Sequence, residues 1–542
     1  MISGFIILAL LLIIILSNHN IFKHNKYKSL IDKQGRLTVA VLPFRNLTND
    51  TLLNVSGEII QNELIAFLTN FRTEFSVRQV ETINTYFKSS GLTSNASITP
   101  SLAGDISQKL AANVYITGSV EKSGGKLRIS AQLVDSKTKE PFKSVQVEGQ
   151  YRNELDLKII DTLRTRIRDF LVISVLEKQV LPSMRPRILT NSAEAFRYYI
   201  LGNQAFIKVD YPSVITYFRK ALEKDSTFIE AMRGLYDVYS NIGPPDSARK
   251  WCLKAYARRN YATDLVKVEL DYLHASVFGS ADETILVIKQ MMDFDDQDPI
   301  NYFQLGWYYY ISSRPEKAIP EFEKSLEITD RWGTKPIWVF SYAFLCGAYH
   351  QTGQYLKEKK LYLRAEKDFP DDQALLERHF ILALTLNDTI EANKYLEKYR
   401  SVYLDKYRSI IQEPKSLESS LNTTIAIFYW SANLPDKAEN YYRKALSLEP
   451  DSLKRIYILD NSLFGTFQDI NFGIDYMSKG LFATYDNFPY QRDQAVKLFE
   501  QGKYAEALDL LKKCRNMKPG PKDKEDLEAL IRKAENAIAG KN

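Results

Sequence analysis

The sequence predicts an α+β chain in three parts: an apolar N-terminal helix, a small βαβαβββ domain, and a long all-α array of helical hairpins. Three observations carry this expectation. Residues 2–17 are almost continuously apolar, residues 37–150 alternate strand-like and helix-like patterns, and from about residue 190 one spacing of small and aromatic residues recurs. At 542 residues the chain exceeds one hydrophobic core, so two or more domains are expected.

The recurring spacing is clearest in Gln501 to Pro519, QGKYAEALDLLKKCRNMKP. Gly502 permits a tight turn and Tyr504 fills the space beside it. Ala507, Leu511 and Cys514 fall at i, i+4 and i+7, a narrow stripe that lets a neighbouring helix approach closely. Pro519 then stops the helix. Gln494, Ala495 and Leu498 make the partner stripe upstream.

Other copies follow in register. The first has Leu201, Gly202, Ala205, Phe218 and Ala221; the second has Leu235, Tyr239, Gly243, Ala248, Cys252 and Ala255. The fourth has Leu305, Gly306, Tyr309, Ala318, Phe322 and Ser325; the fifth has Leu345, Tyr349, Gly353, Tyr355, Tyr362, Ala365 and Pro370. The seventh has Ile425, Ala426, Tyr429, Ala438, Tyr442, Ala445 and Pro450, with weaker copies near 268–299, 373–400 and 454–481. This pattern resembles the tetratricopeptide repeat (TPR), a helix-turn-helix unit of about 34 residues. The resemblance implies a TPR α-solenoid over 190–542 with a C-terminal capping helix.

At the N-terminus, Ile2 to Ser17 carries ILALLLIIIL and no charge precedes Lys23. Sixteen residues at 1.5 Å rise reach about 24 Å, and Asn18 to Phe22 extend the span towards a hydrocarbon core of roughly 30 Å. MISGF offers no basic n-region and SNHN no small-residue cleavage site, so residues 1–22 read as an uncleaved membrane anchor. Lys23, Lys26, Lys28, Lys33 and Arg36 follow it, and the positive-inside rule alone would keep the bulk of the chain in the cytoplasm.

Leu37 to Phe44 reads as a buried strand, followed by a helix from Gly57 through Phe67 with Ile60, Leu64 and Phe67 on one face. Glu74 to Val80 is expected as a second strand and Ser101 to Ala112 as a second helix. NVYITGSV, LRISAQLVD and FKSVQVEG complete a mixed sheet with helices on one side, and Ser123-Gly124-Gly125-Lys126 is a hairpin turn.

Val39-Ala40-Val41-Leu42-Pro43-Phe44, Asn46-Leu47-Thr48, Gly57, Glu63-Leu64, Thr117-Gly118-Ser119-Val120 and Arg128 to Asp135 resemble the TolB N-terminal-like domain, over about 110 residues. Asn191 to Gly202 is similar to the entry into the repeats in bacterial signalling proteins of that kind. The likeness departs at Phe142-Lys143-Ser144-Val145, where relatives carry a Leu-Trp pair. In such relatives a kinase, cyclase or DNA-binding domain commonly precedes the membrane helix. The resemblance therefore implies a periplasmic location for the soluble part, either as a stand-alone anchored receptor or as the sensory half of a truncated signalling protein.

A basic connector, 151–187, carries Leu155, Ile159, Leu163, Ile167 and Leu171 at every fourth position, a helix packed on the sheet; Pro182 and Pro186 mark the break before the array.

Catalytic and metal constellations are absent from the sequence pattern. The five His, at 19, 24, 274, 350 and 379, show no paired ligand spacing. Cys252, Cys346 and Cys514 occupy small core positions of the repeat. Asp293-Phe294-Asp295-Asp296-Gln297-Asp298 lacks the glycine and terminal Glu of a calcium loop and reads as a helix-capping turn. GSVEKSGGK is explained by its hairpin rather than by phosphate. The net charge of +6 is spread out, without the basic and aromatic interleaving of a nucleic-acid surface. No cofactor and no small-molecule substrate are implied.

What remains is the inner wall of the array, lined by the first helix of each hairpin. In the fourth copy Leu305, Gly306 and Tyr309 face the second helix, so Phe303, Trp307 and Tyr310 face elsewhere. The equivalent residues are Tyr199, Asn203 and Phe206 in the first copy and Thr423, Ile427 and Trp430 in the seventh. These nine positions either anchor a peptide segment or pack against the adjacent hairpin. The reading is a membrane-anchored, non-enzymatic protein that scaffolds or senses proteins or peptides of the cell envelope.

Overall fold

The computed structural model describes residues 27–92, 98–151, 155–180, 189–242, 245–409, 411–432, 434–448, 502–515 and 521–539, with residues 495, 496, 498 and 499. The expected anchor at 1–22 and the weak copy at 454–481 lie outside the described residues. Among those described, no helix is long and apolar enough to cross a membrane. The chain divides between Arg364 and Ala365 into two compact units.

The first unit begins with a six-stranded mixed sheet. Its strands are β1 (Leu37–Val41), β2 (Arg45–Asn46), β3 (Phe75–Val77), β4 (Val114–Ser123), β5 (Lys126–Asp135) and β6 (Pro141–Gln150). They run in the order β3-β1-β4-β5-β6, with β2 paired to β4. β1 is parallel to both β3 and β4, while β4, β5 and β6 form an antiparallel meander. Gly124 and Gly125 both have positive φ, 57° and 75°, which a two-residue hairpin turn needs, and Ser123 pairs with Lys126 across it.

The helices of this domain are α1 (Ser56–Thr69), α2 (Val80–Ser89), α3 (Pro100–Lys109) and α4 (Leu157–Phe170). Two expectations are corrected here. The second strand stops at Val77, because Val80 opens a helix that sequence pattern left unassigned; Thr82, Ile83, Tyr86 and Phe87 are among its buried residues. Cover is also not confined to one face of the sheet at its centre. All five residues of β1 are buried, so both of its faces are packed.

Helix α4 lies on the sheet through Ile159, close enough that a Cβ at Gly149 of β6 would meet Ile159 Cδ1 at 2.4 Å. Arg164 of α4 donates to Glu63 of α1 at 2.9 Å, a pair almost wholly out of solvent.

The same unit continues into helical hairpins: α5 (Ala193–Ile207) with α6 (Tyr211–Lys224), α7 (Ile229–Ile242) with α8 (Pro245–Tyr256), and α9 (Asp264–Phe278) with α10 (Ala281–Met292). α11 (Pro299–Ile311) then pairs with α12 (Pro315–Trp332), and α13 (Phe340–Gln351) leads into α14 (Tyr355–Asp368), which spans the division between units. Their starts are sharp because Ser192, Asp210, Thr263 and Asp298 accept from N–H groups of the first turn, and Ser280 with Glu283 forms a capping box. Phe218 is wedged between helices with glycine on both sides: a Cβ at Gly202 or Gly234 would come within 2.4 Å or 2.3 Å of its ring. Cys252 and Cys346 are fully buried.

The α/β domain is seated against these hairpins. Asp295, in the turn before α11, accepts from Arg78 Nη1 at 2.9 Å, from the Gln79 backbone N–H at 2.9 Å and from the Thr82 hydroxyl at 2.7 Å. Tyr86 meets buried Trp332 edge-on at 5.4 Å, Arg72 lies 4.0 Å over Phe294, and Gln204 donates to Glu58 at 2.7 Å.

The second unit, described by itself, holds α15 (Gln373–Thr385) paired with α16 (Thr389–Tyr407) and α17 (Pro414–Ser431) paired with α18 (Pro435–Leu448). At its end α19 (Tyr504–Arg515) packs on α20 (Pro521–Ile538), burying Leu511, Cys514, Leu527, Ile531 and Ala534 together with Ala495. Gly502, with φ 76°, makes the turn into α19.

Candidate functional site

Within the first unit a cavity of about 390 Å³ lies between the α/β domain and the first helices of the opening hairpins. Asn62, Ala66 and Thr69 of α1 and Glu81 and Asn84 of α2 form one side. The other side comes from α5, α7, α9 and α11, each of which contributes its inner face: Tyr199, Asn203 and Phe206; Glu230, Arg233 and Asp237; Glu269 and Tyr272; Asn301 and Gln304.

Five carboxylates line this cavity, Glu81, Glu230, Asp237, Glu269 and Asp298, against one guanidinium, that of Arg233. Arg233 donates Nη1 to Glu269 and Nη2 to Glu81 at 3.2 Å, so both ends of its fork are engaged. Burial works against its charge, yet Glu269 and Glu81 hold it well above its ordinary value. The remaining acids have less compensation. Burial pushes Glu230 up to about 7 against its own backbone N–H and Arg233, and Asp237 up to about 6. It pushes Asp298 up to about 7 although that carboxylate accepts from the Ile300 N–H. Tyr199 is raised to about 12 by burial, and Tyr272 is raised as well. These are the marks of negative charge held out of water.

The nine residues chosen from sequence divide. Tyr199, Asn203 and Phe206 line the cavity together, with the Tyr199 ring stacked at 5.8 Å on Phe218 and buried to 7% exposure. Phe303 and Tyr310 turn to the next hairpin: Phe303 sits 6.0 Å from Trp338 and 6.1 Å from Phe344, and Tyr310 is 5.5 Å from Phe344 and accepts from Gln351. Trp307 is half-buried and meets the neighbouring Tyr308 ring edge-on at 4.8 Å. In the second unit Thr423 is buried, its hydroxyl donating to the Ser419 carbonyl; Ile427 packs on the Ala426, Tyr442 and Ala445 cluster; and Trp430 is half-buried near the end of α17.

Arg233 and Glu269 were missed by the sequence reading, although the signal existed. They stand about one and two repeat lengths beyond Tyr199, at the same place in the second and third copies. Applying the fourth copy's spacing to the second and weak third copies would have found them. As for metals, among the described residues no three His, Cys, Asp or Glu side chains converge as ligands.

Comparison with known proteins agrees on the repeat. The tetratricopeptide repeat model matches residues 301–330 and 419–452. The chain carries tetratricopeptide repeats, elements that stack into protein-binding surfaces. No curated protein sequence matches the chain. Among solved structures it is similar to PilF of Pseudomonas aeruginosa, with 18% identity, 39% of this chain and 92% of that chain covered, and a TM-score of 0.32. A thermophilic tetratricopeptide protein of Thermus thermophilus is 19% identical over 35% of this chain and 99% of its own, with a TM-score of 0.28. The C-terminal domain of LpoB from Salmonella enterica is 20% identical over 21% of this chain and 82% of its own, with a TM-score of 0.18.

Proposed function

We propose that the protein is a membrane-anchored, non-catalytic scaffold or sensor of the cell envelope, and that its repeat helices and α/β domain together bind a protein or peptide. The observation that carries this reading is the cavity itself. The inner helices of the opening hairpins already hold the chain's own α/β domain, and the space left between them is lined by Tyr199, Asn203 and Phe206. The α/β domain is read as TolB N-terminal-like on the Val39 to Phe44 and Thr117 to Val120 motifs, and residues 1–22 as the anchor on their apolar run. The periplasmic location rests on that likeness. Ile427 and Trp430 are proposed as contacts of the second unit, on their place in the repeat.

The test uses the tagged full chain, cross-linked in cells, beside an Asn203→Trp variant that fills the cavity. Capture of specific partners should fall severalfold in the variant, and equal capture would overturn the reading. A C-terminal fusion to a reporter that fluoresces only in the cytoplasm tests the location: a dark fusion is expected.

A further inference from the structure

We propose that the cavity between the α/β domain and helices α5, α7, α9 and α11 is a cation-selective site for a guanidinium or ammonium group on an aliphatic stem. The group belongs either to a small free molecule or to a basic side chain of a peptide. In the peptide case the proposal rests on the scaffold reading above and states what the scaffold recognises.

The first argument is charge balance. Arg233 is the sole cation among the lining residues, and its fork is spent on Glu269 and Glu81. Glu230, 8% exposed, accepts only from its own backbone N–H among the described residues. Carboxylates desolvated to this degree hold protons up to near neutral pH, and a cation that brings several donors would favour their ionised form and displace those protons, because folding has already stripped them of water.

A second, independent observation is Asn301. It is 7% exposed and lines the cavity, yet its side chain has no hydrogen-bond partner among the described residues. Its amide faces the cavity with donor and acceptor capacity that no group among the described residues meets, so a ligand or water in the cavity completes it.

Shape and chemistry narrow the ligand. A cavity of about 390 Å³ lies at the lower end of small-ligand sites, the size of an amino-acid side chain rather than a helix. Tyr199, Phe206 and Tyr272 offer aromatic surface for an aliphatic stem and for the face of a cation. The acids are spread around the wall rather than gathered, and no three converge as metal ligands among the described residues. An extended organic cation suits that distribution better than a point ion.

The test is titration calorimetry on the full chain with four probes: N-acetyl-arginine amide, a blocked Gly-Gly-Arg-Gly-Gly peptide, and the counterpart of each with neutral citrulline. The arginine probes should bind, and citrulline should weaken binding roughly tenfold or more. Glu230→Gln and Asp237→Asn should each weaken the arginine probe severalfold. The citrulline comparison requires no protein substitution, so it holds even if a variant fails to fold. Equal binding of citrulline, or no binding by any probe, overturns the proposal. Equal affinity of amide and peptide identifies a free small cation; binding of the peptide alone identifies a basic segment. If no probe binds while Asn203→Trp still lowers partner capture, the cation assignment falls and the scaffold reading stands. If the probes bind while capture is unchanged, the reverse holds.

Discussion

Asp295 lies in an acidic run whose composition suggests a calcium loop and whose geometry shows a joint. It is 2% exposed and faces Arg78, equally buried, across more than two hundred residues of sequence. Removing one partner of such a pair strands the other in low dielectric, so Asp295→Ala should cost about 3–5 kcal/mol. Asp296, which also contacts Arg78 but whose side chain is 63% exposed, should cost under about 1 kcal/mol when changed to Ala. Denaturant titration of the two variants checks the ordering; similar losses would deny Asp295 its role as the joint. The neighbouring Asp298 caps α11 at the Ile300 N–H, as the reading of the run as a capping turn expects.

Among the elements, the hairpins are held in register by large rings set against glycine. Phe218 fills the gap between Gly202 of α5 and Gly234 of α7, and Gly202→Ala should destabilise by about 1–3 kcal/mol through overpacking. Unchanged stability in thermal denaturation would show that the helices simply move apart. Phe303 plays the corresponding part between hairpins, touching Phe322, Trp338 and Phe344. Both residues are half-buried, but Phe303 packs on those three rings and Trp307 on its neighbour Tyr308, so Phe303→Ala should cost about 3 kcal/mol and Trp307→Ala distinctly less. Equal losses would mean that both rings serve the same interface. The i, i+4, i+7 stripe was legible in sequence, but its partner was not: in α5 the stripe faces the cavity, whereas in α11 Phe303 and Tyr310 face α13. Which neighbour a helical face meets depends on how each hairpin rolls on the next, and spacing within a helix carries no information on that.

On the scale of the first unit, the accumulation of buried carboxylates sets a pH dependence. Glu63, faced by Arg164, is raised to about 7 by burial; Glu230, near Arg233 and Asp225, and Asp298, near Asp295 and Glu81, lie near 7, and Asp237, near Arg233 and Glu81, lies near 6. In the unfolded chain these groups titrate near 4. The folded state therefore holds protons that the unfolded state has released, and the associated stability is present below about pH 4 and lost as pH rises towards 7. Asp225 opposes this at the acid end: its burial is outweighed by hydrogen bonds from Thr190 and Thr227, which hold its carboxyl below the usual range. The thermal midpoint at pH 5 should exceed that at pH 8 by roughly 5 °C. A midpoint that is flat or higher at pH 8 would show that these carboxylates are better compensated than their surroundings indicate.

The sequence by itself determined the local architecture. The repeat spacing at Leu305, Gly306, Tyr309 and Phe322, the glycine turn at Gly124 and Gly125, and the burial of the three cysteines all follow from contacts within one hairpin or between adjacent segments. Helix α2 escaped because its short amphipathic pattern abuts a strand ending at Val77. Only the tertiary structure decided that the α/β domain is seated on the inner helices of the opening hairpins, and that Glu81, Arg233 and Glu269 meet there. Their encounter joins positions far apart in the chain, and no periodicity encodes such a pairing. It arises from the packing of one folded surface on another, and that packing makes the cavity.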